Sequence, residues 1–192
     1  MIWARLTTRI QAFAKDVHGG LSIETVLMWP LLLWAYGAMF VFFDGFKQQN
    51  LALKATYTVS DTISREMNAL NTQYIDTMHD LMNMLSRARL DTKLRVTMVK
   101  WDGVAKKNKV VWSEARGPGI VKYNTNSLQA VADRIPVMPH GEQVVLVQSW
   151  SIFEPFMWVG FGGITFENLV TTRPRYVAHI CWTQGGTLTC GT

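Results

Sequence analysis

The sequence predicts an α+β protein fixed in a membrane by one N-terminal helix, with a second helix packed on a mostly antiparallel sheet. Three observations predict it. Residues 25–43 (TVLMWPLLLWAYGAMFVFF) form a run of nineteen without a charge. Apolar residues at helical spacing then continue from Val59 to Leu85. From Lys93 onward the apolar period changes to two, the period of strands.

The apolar run comes first. As a helix it rises about 28 Å, close to the roughly 30 Å hydrocarbon core of a bilayer. A buried helix in a soluble domain seldom stays apolar on every side for so many turns, so a transmembrane span is the expectation. Pro30 lies inside it and removes one helical hydrogen bond, which predicts a kink. Asp44 and Lys47 mark the outer boundary. Ahead of the span, Arg5, Arg9 and Lys15 outweigh Asp16, and basic residues before a span stay in the cytoplasm. That places residues 1–19 inside as a leader, with Ile2, Leu6, Ile10 and Phe13 as a stripe that can rest on the bilayer. Residues 20–43 then cross a bacterial inner membrane once. Residues 44–90 become a periplasmic helical region, and 91–192 a periplasmic α+β sheet domain. An ordinary secretory signal fits poorly, because the apolar run is too long for one and no small-x-small cleavage site follows it.

Beyond the span, Val59, Ile63, Met67, Leu70, Tyr74, Met78, Leu81 and Leu85 fall on a single helical face. Asn68 and Asn71 predict a break, with Asn71 capping a second helix over 72–89. In KLRVTMVKW, Leu94, Val96 and Met98 share one face while Arg95 and Thr97 share the other, a half-buried strand. KVVWSEA pairs with it across a turn near Asp102–Asn108. A short helix is expected around Ser127–Ile135, with Leu128, Val131 and Ile135 inward and Pro136 stopping it. EQVVLVQSWSIF is the central strand, since Val144–Val147 are apolar on both faces, and Glu154-Pro155 ends it. WVGFGG reads as a loop. Tyr176–Trp182 and Thr187–Cys190 form a last hairpin around Gly185-Gly186. In that register Cys181 faces Cys190 as a non-hydrogen-bonded pair with Cα atoms about 4.5 Å apart, within reach of a disulfide. Such a bond belongs to an oxidising compartment, the periplasm. The helices are expected on one face of the sheet.

Composition narrows the function. Only 17% of residues are charged, against roughly 25% in a typical soluble domain, and the deficit comes from the apolar run. The net charge of +5 is too dispersed to point to nucleic acid. Lys106-Lys107-Asn108-Lys109 lacks interleaved aromatics and reads as a solvated hairpin tip, where lysines also discourage edge pairing. No nucleophile elbow, phosphate loop or His-Glu-x-x-His occurs, so catalysis is not expected. Gly160, Gly162 and Gly163 lack the spacing of a dinucleotide loop. His179, Cys181 and Cys190 are a weak ligand set once a disulfide takes both sulfurs; neither metal nor cofactor is expected.

The informative segment is GGLSIETVLMWPLL, residues 19–32. Glu24 puts a carboxylate just inside an apolar span, which costs a few kcal/mol near the bilayer centre and less at the interface. Such a group calls for a partner. A peptidase cutting after Gly19 would create an ammonium on Gly20, four residues before Glu24, and positions i and i+4 face each other on a helix. The carboxylate can then pair with its own N-terminus or with that of a neighbouring subunit.

This arrangement resembles the class III signal of type IV pilins: a short basic leader, a cut after glycine, then glutamate at the fifth residue of an apolar helix. More narrowly it resembles the TadE/TadG group of pseudopilin-like proteins of the tight-adherence (Tad, or Flp) pilus system. The matching residues are Gly19, Glu24, Pro30, Leu31 and Leu32. EQVVLVQSWSIFEPF and TTRPRYVAHICW agree in style, and Thr25 stands where the family usually has an aromatic. The resemblance implies a pilin-like fold and a minor pilin (pseudopilin) or membrane-anchored assembly component, structural rather than enzymatic, acting in pilus biogenesis and surface adhesion. It implies prepilin peptidase, other pilins, Tad inner-membrane assembly proteins and the bilayer as partners. The competing reading is a signal-anchored periplasmic binding or adhesion module that never enters a filament.

Overall fold

Helical structure does not stop where the apolar run stops. In the computed structural model, which describes Gly20–Gly160 and Gly162–Gly191 with side chains from Ile23 onward, helix α1 runs unbroken from Gly20 to Ser64. The leader and its stripe lie outside the described residues. By compactness the chain divides between Phe43 and Asp44, so α1 contributes to both units. In the first, Tyr36 and Phe40 meet edge to face with ring centroids 4.9 Å apart.

The second unit holds the rest of the fold. Within it the pattern on α1 changes from uniformly apolar to two-faced: Ala52, Ala55, Thr56, Val59, Ser60 and Ile63 are buried, while Lys54, Tyr57 and Thr58 are exposed. The last turn tightens through Arg65 N–H to the Thr62 carbonyl and Glu66 N–H to the Ile63 carbonyl. Helix α2 covers Thr72–Ser86 and is capped as expected, the Asn71 side chain accepting from Tyr74 N–H at 2.8 Å. It ends three residues before the expected 89, because Arg87 turns left-handed with φ 50° and breaks the helical ladder. Met67, counted on the common apolar face, lies between the two helices and is exposed.

Strands β1 (Lys93–Asp102), β2 (Lys107–Arg116), β3 (Gln143–Phe153) and β4 (Ile164–Thr172) form an antiparallel sheet in the order β2-β1-β3-β4. Val96 lies opposite Val147, which in turn lies opposite Val170. A bulge at Met98/Val99 shifts the β1–β2 register. β3 is central, as its apolar run requires. β4 is an addition: no strand was expected at 164–172, where only Asn168 and Val170 are buried. An edge strand with so much open surface has little reason to alternate cleanly.

The two long helices lie on one face of the sheet, as expected, but the short helix does not join them. Leu94, Val96, Met98, Val145 and Val147 pack under Val59 and Ile63 of α1 and Ile75, Met78 and Met82 of α2. The opposite face is covered too. There Val99, Val144 and Leu146 pack under Leu128, Ile135 and Met138. These come from helix α3 (Thr125–Leu128), the following 3-10 turn (Gln129–Arg134) and the segment after it. A central strand that is apolar on both sides leaves water facing greasy surface unless both sides are covered. The short helix begins two residues earlier than expected because Asn124 and Ser127 form a capping box, and Val131 is only half-buried.

The β1–β2 turn shows how a charged tip is held. Asp102 accepts from Val104 and Ala105 N–H at 2.9 and 3.0 Å and pairs with Lys109 at 2.5 Å. The Lys109 contact first, then the Ala105 and Val104 amides, hold its carboxyl far below the usual carboxylate range. A depressed native value means the stabilisation is present above the unfolded value, about pH 4, and is lost as pH falls through the native one. Asp102→Asn should therefore lower the urea midpoint at neutral pH, and the gap to wild type should narrow only below about pH 4. A gap that stayed constant across urea titrations down to the acid limit would disprove this assignment.

Candidate functional site

The site marked by the sequence lies at the start of α1. Gly20 is its first residue, Gly19 lies outside the described residues, and Glu24 follows one turn later with its side chain exposed. The helix continues through Pro30; having no N–H, Pro30 leaves the carbonyl four residues earlier without its usual donor. Trp29, Leu32, Leu33 and Tyr36, spaced three, four and seven along the helix, line a shallow apolar groove beside it. Two of its walls are aromatic, and the surface it presents is almost wholly apolar.

Exposure decides what kind of helix this is. From Ile23 the first part of α1 is strongly apolar, and little of it is buried inside the protein. Val26, Leu27, Met39 and Phe43 are each about 70% open. A core helix of the same composition would bury most of that surface, since burial of apolar area is what stabilises it. The helix is thus long and apolar enough to cross a bilayer, and it is compatible with single-pass anchoring.

The second marked site is the C-terminal hairpin. β5 (Trp182–Gln184) and β6 (Thr187–Thr189) pair across Gly185-Gly186, both at positive φ, the geometry a two-residue turn demands. Cys181 and Cys190 are bonded to each other with Cα atoms 4.3 Å apart. The hairpin is shorter than expected, because residues 176–181 are irregular and the strand begins only at Trp182. What holds it has little signature in the sequence. Leu70 N–H donates to the Cys181 carbonyl and Thr183 N–H to the Leu70 carbonyl, at 2.8 and 2.7 Å. Trp182 stacks on Trp112, whose indole N–H donates to the Ile180 carbonyl at 2.9 Å.

Arg95 is a second feature that pattern alone did not mark. On the polar face of β1, its Nε and Nη2 share the Gln148 Oε1 at 3.0 and 2.7 Å. Its guanidinium lies 3.5 Å from the Tyr123 ring centre and 4.9 Å from that of Trp150. Half-burial lowers its pKa, opposed by Tyr123 and Glu167. Nη1 donates to the Val121 carbonyl, so the group pins the crossing segment to the sheet. The one signal in the sequence is an arginine alternating onto the polar face of an otherwise apolar strand; its aromatic neighbours are distant in the chain.

The weighed rivals find no new support. Both sulfurs are used in the disulfide, and among the described residues no three His, Cys, Asp or Glu side chains gather as metal ligands. Gly163 is followed by strand β4 and not by a helix. Lys106 and Lys107 are exposed at the hairpin tip, while Lys109 is paired with Asp102.

The arrangement defines a class: an α+β domain whose longest helix extends into a segment fit for a bilayer. Comparison with protein families, with curated proteins and with solved structures gives no match to this chain.

The disulfide closes a short loop, its cysteines nine positions apart in sequence. Chain-entropy arguments assign such a closure about 2–3 kcal/mol. Cys181→Ser/Cys190→Ser should lose about that much in denaturant unfolding, and reductant should destabilise the wild type but not the variant. Equal midpoints for the two proteins would show that the Leu70 and Trp112 contacts hold the hairpin unaided.

Proposed function

We propose that the chain is a minor pilin (pseudopilin), or a membrane-anchored assembly component, of a Tad-type (Flp) type IV pilus, structural in role and non-catalytic. The observation that carries this reading is Glu24, a carboxylate exposed one turn into an apolar helix directly behind Gly19-Gly20. A cut after Gly19 by prepilin peptidase supplies the ammonium that Glu24 requires, on Gly20 of this chain or of an adjacent subunit. The exposed apolar face and the groove beside Pro30 are then surfaces for neighbouring pilin helices or Tad inner-membrane proteins, and before assembly they face lipid. The continuous α1, packed through its second part on an antiparallel sheet, supports a pilin-like arrangement.

The same reading sets the sidedness. Residues 1–19 lie in the cytoplasm, the helix crosses the inner membrane, and the domain folds in the periplasm, where its disulfide forms. The test is the mature N-terminus. Intact-mass analysis of native protein should give a chain beginning at Gly20, and Gly19→Ala should leave it uncut. Glu24→Ala should insert normally yet reduce surface pili to background. A chain that retains Met1 whatever stands at position 19 describes a signal-anchored periplasmic binding or adhesion module outside any filament. Normal piliation by Glu24→Ala would remove the pairing role.

A further inference from the structure

The end of the domain next to the span carries a second contact surface. Gly45 lies two residues past the apolar run, and a Cβ there would sit 3.4 Å from the Phe153 ring. The last residue of β3 is thereby level with the first turn of α1 beyond the boundary. Asp44, Lys47 and Gln48 of that turn, Arg87 and Arg89 after α2, and Phe153 and Glu154 line a cleft of about 150 Å³. Lys47, Arg87 and Arg89 are exposed, and none is in an ion pair with a described residue. Arg65, Lys109, Arg116, Lys122, Arg134, Arg173 and Arg175 all have carboxylate partners. The chain leaving the cleft past Glu154 carries two large exposed aromatics, Phe156 at 60% and Trp158 at 75%.

We propose that this cleft and the Phe156–Trp158 loop rest on the surface of the bilayer that α1 crosses, with the three cations taking phospholipid phosphates and the two rings entering the headgroup layer. The proposal rests on the membrane-spanning reading of α1. Three arguments converge. The tether leaves no choice of neighbour: Asp44 follows directly on Phe43, so a cleft containing Asp44 and Lys47 stands at headgroup level. The residue types fit that layer, since tryptophan concentrates at membrane interfaces and lysine and arginine reach phosphate on long apolar stems. The exposed rings are also costly in water and gain from burial at the interface. Asp44 and Glu154 share the cleft, so it carries three cations to two carboxylates and favours an anionic headgroup over a neutral surface only through the excess. The contact stops the domain from swinging about its single helix.

The test uses the full chain in nanodiscs of phosphatidylcholine, with and without phosphatidylglycerol. Its two cysteines are bonded to each other, so a nitroxide can be placed on Met157→Cys without reduction, and on Phe40→Cys as a reference within the span. Collisional accessibility to oxygen and to an aqueous nickel reagent reports depth. The loop label is expected at interfacial depth, and deeper with phosphatidylglycerol. Combining Lys47→Gln, Arg87→Asn and Arg89→Gln should abolish the difference between the two lipids; asparagine is chosen at 87 because it tolerates the left-handed backbone. Phe156→Ser/Trp158→Ser should return the label to water. A span label in lipid with a loop label fully aqueous in both discs overturns the proposal alone. A span label in water overturns the membrane reading beneath it.

Discussion

One helix carries two kinds of surface, and the rest of the molecule follows from how that surface changes along its length. For its first part α1 is largely apolar and, Ala38 and Val41 apart, mostly exposed; for its second part it is apolar on one side only and buried there. A helix saturates its own backbone hydrogen bonds in water and in lipid alike, so the change of surface needs no break in the backbone. The side chains alone register the boundary. Phe43 ends the uncharged run, and Asp44, Lys47, Gln48, Gln49 and Asn50 follow at once.

Beyond the boundary α1 approaches the sheet through small and hydroxyl-bearing residues. Thr56 and Ser149 share a hydroxyl hydrogen bond at 2.6 Å, and Ser60 and Thr172 another at 2.5 Å. Ala52 and Ala55 lie on the same side. Small side chains let two backbones approach closely, and a hydroxyl buried without a partner would cost about 1–3 kcal/mol. The paired hydroxyls therefore set register as well as contact: a one-residue slip of β3 would orphan Thr56, a slip of β4 would orphan Ser60, and a rotation of the helix would orphan both. Val59 and Ile63 supply the apolar area, reaching the layer formed with α2 and the hairpin. Specific orientation and bulk burial thus come from different residues on one helical face.

Much of this was legible because period and punctuation agree. The β3 run, the Asn71 cap and the facing cysteines each combine a pattern with a local chemical reason, and the structure contains all three. What was not legible lacked one of the two. β4 has β-forming residues but little burial to impose alternation. The region before Trp182 has alternation but forms no strand, and the Leu70 bridge is made only at Trp182. The single apolar face drawn from Val59 to Leu85 crossed a real break, and Met67 fell in it. At the candidate site, Glu24 and Pro30 were legible because a charge and a proline are anomalies in an apolar helix. The hold of Leu70 on the hairpin was not, because a main-chain hydrogen bond between distant segments leaves no mark on residue type.

The domain also shows how a carboxylate removed from water is accommodated. Glu114, on β2, is nearly buried and is bound from two sides, by Lys122 at 2.6 Å and by Arg116 at 3.2 Å, while Arg116 also reaches Asp76 of α2. Removing one member of such a set strands a charge in a medium that cannot solvate it, and the penalty exceeds what the intact set contributes. Hydrocarbon is a harsher medium than this interior, because it offers no dipoles to reorganise. The rule that gives Glu114 two cations therefore demands at least one for Glu24 wherever its turn of α1 enters lipid. The run that follows, 25–43, contains no cation, so a charge at that depth would come from the residues before Glu24, from the helix terminus or from another chain. The sequence thus places the need for a partner at one side chain, and the direction of that need points away from the folded domain, toward the start of the helix and whatever packs beside it.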